Sequence, residues 1–171
     1  MSNAYAYIDV VVDVPSNLPV DAQDSSGEAE LHNLAVLDMR DSSGDLEIDR
    51  VKGAVNVQDS SGEVRIRDVG SVRLEDSSGD ILIEKVAGIV DIVSDSSGDL
   101  VVRDAGGKVE VRQDSSGDIR VSDVRGSLEV GVDSSGSIHA RNIEGDFTVG
   151  SDGSGSITHE NVKGKVSTPD D

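Results

Sequence analysis

The sequence has no cysteine and no tryptophan, and its aromatic residues are one phenylalanine and two tyrosines. Without cysteine, the chain has neither disulfide bridges nor thiolate metal sites. A thick globular core usually contains several aromatic side chains, whereas a thin core can be filled by valine, isoleucine and leucine alone. The shortage of aromatics therefore favours a thin, repetitive core.

Basic residues are also scarce, because 15 Lys and Arg stand against 34 Asp and Glu, which gives a formal net charge of −19. Nucleic acids and anionic membranes bind through clusters of Lys and Arg, so this balance argues against both as partners. No stretch approaches the roughly 20 apolar residues of a membrane span, and the first residues lack the order of a signal peptide. Cations and cationic surfaces are the compatible partners.

What the sequence does contain is an internal repeat. Asp-Ser-Ser-Gly begins at seven positions and its variant Asp-Gly-Ser-Gly at an eighth. The eight aspartates are Asp24, Asp41, Asp59, Asp76, Asp95, Asp114, Asp133 and Asp152. Successive starts are 17 to 19 residues apart, which suits one coil of a β-solenoid and is too short for a pair of helices.

Each repeat has the same apolar pattern, which the fifth copy illustrates. Leu100 and Val102 are one residue apart, as in a strand with one buried face; Ala105 follows after a bend, and Val109 and Val111 repeat the alternation. Each copy thus predicts a strand, a corner, a second strand and the Asp-Ser-Ser-Gly turn. Coils stacked about 4.8 Å apart would bury these positions as continuous columns in a rod roughly 40 Å long.

We therefore predict an all-β fold, a single-stranded parallel β-helix (β-solenoid) of eight to nine coils of 17–19 residues. Residues 1–4 resemble a leader derived from an expression vector, and 5–171 form one domain. Within it we expect a capping coil at 5–23, the eight repeats at 24–168 and a polar tail at 169–171. Pro15 and Pro19 near the start, and polar His159 and Thr168 in the last copy, disfavour strand addition at the ends, so a monomer is expected.

The aspartates of the turns have two interpretations. In the first, Asp accepts hydrogen bonds from nearby backbone amides, and the glycine supplies a positive φ. In the second, the stacked aspartates form a negatively charged ridge that binds cations, and calcium fits because it accepts carboxylates in variable number. A second acidic column beyond the glycine strengthens this ridge: Glu28, Asp45, Glu63, Asp80, Asp99 and Asp118. We predict that millimolar calcium stabilises the fold more than sodium chloride of equal ionic strength.

The opposite corner of each coil balances its charges. One column, which includes Asp49 and Arg67, changes sign from coil to coil, and we expect its members to pair. The neighbouring column, which includes Arg50 and Lys85, changes sign in the opposite phase. We interpret residue identity at this corner as free, unlike the repeated aspartate.

Nothing in the sequence indicates an enzyme. Catalytic sites on β-helices usually interrupt the repeat with charged residues beside a long loop, and no turn here is expanded. His32, His139 and His159 fall in different columns and coils, so they do not form one metal site or a triad. A carbohydrate-active enzyme is the least favoured function.

Three segments carry a family resemblance: Val14-Pro15, the unit from Ser116 to Val130, and the stretch from Gly145 to Ile157. They resemble an adhesin-like family of bacterial β-strand-repeat proteins without an assigned biochemical role. The resemblance implies a right-handed parallel β-helix, located outside the cytoplasm or in the cell envelope, with no catalytic residues and no cofactor. It implies a structural or adhesive module that binds a cell-surface glycan or protein; a divalent-cation-binding or self-assembling scaffold is the alternative.

Overall fold

Fifteen β-strands make up the regular structure of residues 10–169, the part of the chain that the computed structural model describes. They are β1 Pro19–Gln23, β2 Ala29–Leu34, β3 Val36–Arg40, β4 Leu46–Gln58, β5 Val64–Glu75, β6 Ile81–Val86, β7 Val90–Ser94, β8 Leu100–Ala105, β9 Val109–Asp114, β10 Ile119–Val124, β11 Leu128–Asp133, β12 Ile138–Ile143, β13 Phe147–Asp152, β14 Ile157–Val162 and β15 Val166–Ser167. Residues 10–169 contain no helix, and so none that could cross a membrane.

The strands stack in parallel in the register that the repeat predicts. Leu100 of β8 lies opposite Ile81 of β6 on one side and Ile119 of β10 on the other. In the second half of the same coil, β9 pairs with β7 and β11. Each coil thus adds one strand to each of two faces, and β4 and β5 continue around the corner from one face to the other. The prediction of a parallel β-solenoid is confirmed; right-handedness stays an implication of the resemblance.

The predicted apolar columns form the core. The five positions of the fifth coil, Leu100, Val102, Ala105, Val109 and Val111, are all 0% exposed. Valine, leucine and isoleucine fill most of this core, whose one aromatic residue among those described is Phe147. Alternation along each strand therefore fixes which side chains face inward and which face solvent.

The corner between the two strands requires a left-handed backbone in every coil. One residue per coil has a φ between 54° and 60°: Asn33, Arg50, Asp68, Lys85, Asp104, Asp123, Asn142 and Asn161. Asn and Asp tolerate this conformation better than other residues with a side chain. The interpretation of this column as free in identity is therefore wrong, because six of its eight members are Asn or Asp.

The ends differ from the central coils. β1 pairs only with β3, so it is one strand of an incomplete coil, and residues 10–18 form no strand. Of the predicted capping coil, residues 5–9 lie outside the described residues, as do the predicted leader 1–4 and residues 170–171 of the predicted tail. At the other end, Ile157 and Val166 are only half-buried, because no further coil covers them.

Candidate functional site: the aspartate column

The aspartates that begin the repeats, hereafter the aspartate column, lie inside the turns. Six of them are 0% to 5% exposed: Asp41, Asp59, Asp76, Asp95, Asp114 and Asp133. Asp24 and Asp152, in the first and last repeats, are half-buried. Members of successive coils lie directly opposite each other, as in the pairing of Asp114 with Asp133. The six central aspartates therefore face into the solenoid and not outward into solvent.

One oxygen of each central carboxyl group holds its own turn together. Asp76 Oδ1 accepts hydrogen bonds from the backbone amides of Ser77 at 2.7 Å and Ser78 at 3.2 Å. The turns that begin at Asp41, Asp59, Asp95, Asp114 and Asp133 have the equivalent bond from the second serine. The turn interpretation of the repeated Asp is confirmed.

The serines and the glycine of the turn connect neighbouring coils. The Ser78 hydroxyl donates to the carbonyl oxygen of Ser60 in the preceding coil at 3.1 Å. The glycines have φ values from 112° to 139°, and those of the second to eighth repeats approach the coil below closely. A Cβ on Gly98 would lie 1.9 Å from the carbonyl oxygen of Gly79. Glycine is therefore required both by its backbone conformation and by the stacking.

The second acidic column binds backbone as well. Asp80 Oδ1 accepts a hydrogen bond from the amide of Asp99 in the next coil at 3.0 Å, and Asp99 Oδ1 accepts one from Asp118 at 3.0 Å. The hydrogen bond from the Asp118 amide, together with Arg120, holds the pKa of Asp99 below its usual value. Sequence reasoning proposed this column as part of a cation ridge and missed its role as a backbone acceptor between coils.

The other carboxyl oxygen of the aspartate column has no partner. Among the described residues, the buried Oδ2 atoms of Asp41, Asp59, Asp76, Asp95, Asp114 and Asp133 accept no hydrogen bond. Buried polar atoms almost always have a partner, so a recurring unsatisfied oxygen is unusual. The aspartate column thus has an unused binding capacity in each central coil.

Burial and mutual repulsion raise the pKa values of five members of the column, from Asp59 to Asp133. Burial, with repulsion from Asp114 and Asp76, raises the pKa of Asp95 to about 7. Burial and a neighbouring aspartate raise the pKa of Asp76 and of Asp114 to about 6. The pKa values of Asp59 and Asp133 are raised as well, chiefly by burial. The neutral acid is therefore favoured in this column far more than in an exposed aspartate.

The geometry around the column is poor for calcium. Within residues 10–169, no three His, Cys, Asp or Glu residues come together in a way that could hold a metal ion. Carbonyl oxygens in the turn, such as those of Ser60 and Ser96, already accept serine hydroxyl groups. Calcium takes six to eight oxygen ligands. Calcium binding at the column therefore stays a prediction of the sequence, to which the structure adds no ligand set.

The histidines do not form a common site. His32 lies 3.9 Å from Glu30 in the first repeat. His139 Nδ1 is 2.6 Å from Thr158 Oγ1, and the ring of His159 lies 6.2 Å from that of Phe147. As predicted, they are spread over different coils, and His159 packs against Phe147, the one aromatic residue of the described core.

An open groove of about 510 Å³ runs along the left-handed corner near the N-terminal end. It is lined by Arg50, Lys52 and Asp68 among others, and Asp68 is its one carboxylate. Arg50 pairs with Asp49 at 2.8 Å. Because the groove has neither a histidine nor a second carboxylate in its lining, it offers no acid and base pair for catalysis.

The two outer strand faces differ in how their charges are used. The outward side chains of the first strand of each coil, hereafter the first-strand face, are Glu30, Glu47, Arg65, Leu82, Val101, Arg120, His139 and Thr158. Those of the second strand, hereafter the second-strand face, are Asp38, Asn56, Arg73, Asp91, Glu110, Glu129, Thr148 and Ser167. Only the first-strand face has apolar residues at its centre.

The comparison with protein families agrees with this architecture. The model of the Toastrack DUF4097 domain matches residues 3–170, nearly the whole chain. The chain belongs to the Toastrack DUF4097 family. Toastrack DUF4097 is a domain of unknown function, so the match assigns no catalytic residues and does not extend to an adhesive role. No curated protein and no solved structure matches this Toastrack chain.

Proposed function

We propose that this Toastrack solenoid is a non-catalytic structural module of the bacterial cell envelope that binds a protein partner through its first-strand face. The repeated turn supports a structural role, since Asp76, Ser78 and Gly79 act in backbone bonding and stacking. If the turns only hold the coils together, the outer strand faces are the surfaces left to bind a partner. The envelope location and the adhesive role rest on the sequence resemblance.

The choice of the first-strand face rests on one observation. Leu82 and Val101 lie opposite each other at the centre of the first-strand face, and Arg65 and Arg120 flank them in the next coils. Both arginines pair with the second acidic column, Arg65 with Glu63 at 2.6 Å and Arg120 with Asp99 at 2.7 Å. An apolar centre bordered by ordered arginines is typical of protein interfaces.

The second-strand face is less suited to a partner, and its charges bind one another. Asp91 accepts from Arg73 at 2.7 Å and from Arg112 at 2.8 and 2.9 Å. Lys108 pairs with Glu110 at 3.2 Å and also with Glu129. Both faces carry ion pairs, so the decisive difference is that the second-strand face has no apolar centre for a partner to cover.

The shape of the first-strand face favours a protein over a glycan. A recess of this face, beside Arg65 and Leu82, has a volume of about 60 Å³, whereas small ligands usually occupy about 300 to 1,000 Å³. The face also has no aromatic residue on which a sugar ring could stack. With a net charge of −19, the chain favours a partner with an apolar centre and basic residues around it.

Binding of the fluorescently labelled protein to intact bacterial cells tests this proposal. The variant Leu82→Asn/Val101→Asn removes the apolar centre, and Ile89→Asn/Val93→Asn is the matched control, since it replaces two solvent-accessible apolar residues outside the first-strand face. We expect binding to weaken at least tenfold in the first variant only, with both variants folded by circular dichroism.

Protease treatment of the cells separates the two partner classes. We expect it to abolish binding, as required for a protein partner. Binding that survives protease but is lost after removal of surface glycans would contradict the choice of a protein. Equal binding by both variants and the parent would contradict the choice of face.

A further inference from the structure

The aspartate column is a line of buried carboxyl groups with one unsatisfied oxygen in each central coil. Asp95 and Asp114 are 1% and 0% exposed, and their Oδ2 atoms have no hydrogen-bond partner in the described part of the chain. Asp95 lies opposite Asp114, and Asp114 lies opposite Asp133. Parallel stacking places such neighbours about 4.8 Å apart.

Within residues 10–169, no basic side chain forms an ion pair with this line of charge. The charged groups that shift the pKa values of the column are all carboxylates: its own members, Asp99 beside Asp114, and Asp118 beside Asp133. Arg120 lies nearby but pairs with Asp99 and Asp118 on the outer side. Buried carboxylates that face each other without a cation disfavour full ionisation.

Two ligands could satisfy the free oxygens, a metal ion or a proton. A metal ion would need further oxygen ligands, and the nearby turn carbonyls are used by serine hydroxyl groups, as in the bond from Ser116 to Ser96. A proton needs no further ligand, because it neutralises the carboxyl group that binds it and so removes the repulsion between facing neighbours.

We propose that the aspartate column is an internal proton-binding ladder, in which carboxyl groups of neighbouring coils bind protons at their Oδ2 atoms and thereby link the stability of the solenoid to pH. The proposal concerns Asp59, Asp76, Asp95, Asp114 and Asp133, and it is independent of the partner proposed for the first-strand face. It assigns to the repeated Asp a second task besides its turn, and it explains why one oxygen in each central turn is left unbonded by the protein.

The sign of the pH dependence follows from the direction of the pKa shifts. Burial raises the pKa of Asp95 to about 7 and those of Asp76 and Asp114 to about 6, from an ordinary 3.8. Between pH 3.8 and pH 6 to 7, the folded chain therefore binds more protons than the unfolded chain. The stabilisation is complete below pH 3.8 and is lost as the pH rises through 6 to 7. Asp91 acts in the opposite sense: burial raises its pKa, but Arg112 and Arg73 outweigh burial and lower it.

Carbon-13 NMR of the aspartate carboxyl groups tests the ladder directly in the folded full-length protein. We expect several carboxyl resonances to titrate with midpoints near pH 6 to 7, the range of Asp76 and Asp95. In Asp114→Asn, the resonance of Asp95 should titrate at lower pH, because the Asp114 charge that raises its pKa has been removed. Midpoints below pH 5 for all carboxyl groups would overturn the proposal.

Thermal unfolding at pH 5 and pH 8 supplies the second measurement. Asp95→Asn keeps the oxygen that accepts from Ser97 and removes the buried charge. We expect it to raise the melting temperature relative to the parent by several degrees at pH 8 and by clearly less at pH 5, where the folded Asp95 still carries its proton. The matched control is Asp104→Asn, which changes the net charge equally at an exposed left-handed position. If Asp104→Asn has the same effect as Asp95→Asn, general charge repulsion explains the pH dependence and the ladder is wrong.

A comparison of calcium chloride with sodium chloride distinguishes a metal site from the proton ladder at the same column. For a proton ladder, calcium chloride and sodium chloride of equal ionic strength should give equal melting temperatures at pH 8. A larger increase with calcium that disappears in Asp95→Asn would overturn the proton ladder in favour of a metal site.

Discussion

At the scale of single residues, each position of the repeated turn has a physical task. In the fourth repeat, the aspartate accepts backbone amides, the second serine bonds the coil below, the glycine allows close stacking, and Asp80 accepts the amide of Asp99. The motif recurs because every coil must solve the same steric and hydrogen-bonding problem. The repetition of the motif is therefore evidence for the stacking of coils rather than for a ligand.

The glycine of the turn provides a matched pair of substitutions. A Cβ on Gly98 would lie 1.9 Å from a carbonyl oxygen, whereas a Cβ on Gly27 would meet nothing within 4 Å, since no coil lies below it. Both glycines have a positive φ, so both alanine variants carry the backbone strain of about 1 to 3 kcal/mol. We expect Gly98→Ala to lower the free energy of unfolding by an additional 1 to 3 kcal/mol or so, measured by urea denaturation.

Local unfolding of the first repeat could also make Gly27→Ala mild, so the comparison needs a control within that repeat. Leu37 belongs to the same repeat and is 1% exposed. If this repeat unfolds with the rest, Leu37→Ala should cost about 2 to 5 kcal/mol. Given that result, equal costs for the two glycine variants would contradict the role of stacking.

The left-handed corner makes a second prediction for single residues. Lys85 has a φ of 55°, a conformation that costs most residues about 1 to 2 kcal/mol and that Asn tolerates better. We expect Lys85→Asn to raise the free energy of unfolding by about 0.5 to 1 kcal/mol. Lys52→Asn is the control, because it makes the same charge change at an exposed position without a positive φ, and it should be within about 0.5 kcal/mol of the parent. A gain in both variants would assign the effect to charge instead.

At the scale of strands, ion pairs across neighbouring coils add to the backbone ladder. Asp91 of β7 binds Arg73 of β5 and Arg112 of β9, and so connects three successive coils. The predicted pairing at the corner also occurs, since Arg67 lies 3.4 Å from Asp49 and Arg103 lies 3.1 Å from Glu84. These contacts arise because equivalent positions lie opposite each other in a parallel stack.

The Asp91 cluster can be tested by a double-mutant cycle of Asp91→Asn and Arg112→Gln. We expect a favourable coupling energy, because Arg112 binds both oxygens of the Asp91 carboxylate. The coupling should decrease as sodium chloride is raised, since the arginine is largely exposed. Additive effects of the two substitutions at low salt would show that the cluster does not contribute to stability.

At the scale of the whole molecule, the solenoid is a one-dimensional stack, and within residues 10–169 no further coil covers its first and last coils. Ile119 and Leu128 in the centre are 0% exposed, whereas Ile157 and Val166 in the last coil are half-buried. In such stacks, stability is a sum of coil energies and nearest-neighbour contacts. The terminal coils therefore have fewer stabilising contacts than the central ones.

Amide hydrogen exchange should show this gradient along the rod. We expect amides in β14 and β15 to exchange at least tenfold faster than those in β8 and β10, because the last coil can open without unfolding the centre. The central strands should exchange at the rate of global unfolding. Uniform protection from end to end would instead show that the solenoid unfolds in a single cooperative step.

The sequence by itself determined the architecture, because the repeat length and the alternation of Leu100, Val102, Val109 and Val111 admit only stacked coils with these side chains inside. It also identified the turn bond made by the repeated aspartate. These features are local or periodic, so a one-dimensional pattern contains them.

Only the tertiary structure decided which way the aspartates face and what surrounds them. The sequence pattern around Asp95 and Asp114 fits either an exposed ridge or a buried column. Only the stacking of the coils shows that these residues are 1% and 0% exposed. The left-handed conformation at Lys85 is likewise invisible in its residue type. Burial depends on neighbours from other coils. It is burial that raises the pKa values of these carboxyl groups and so favours their protonated form.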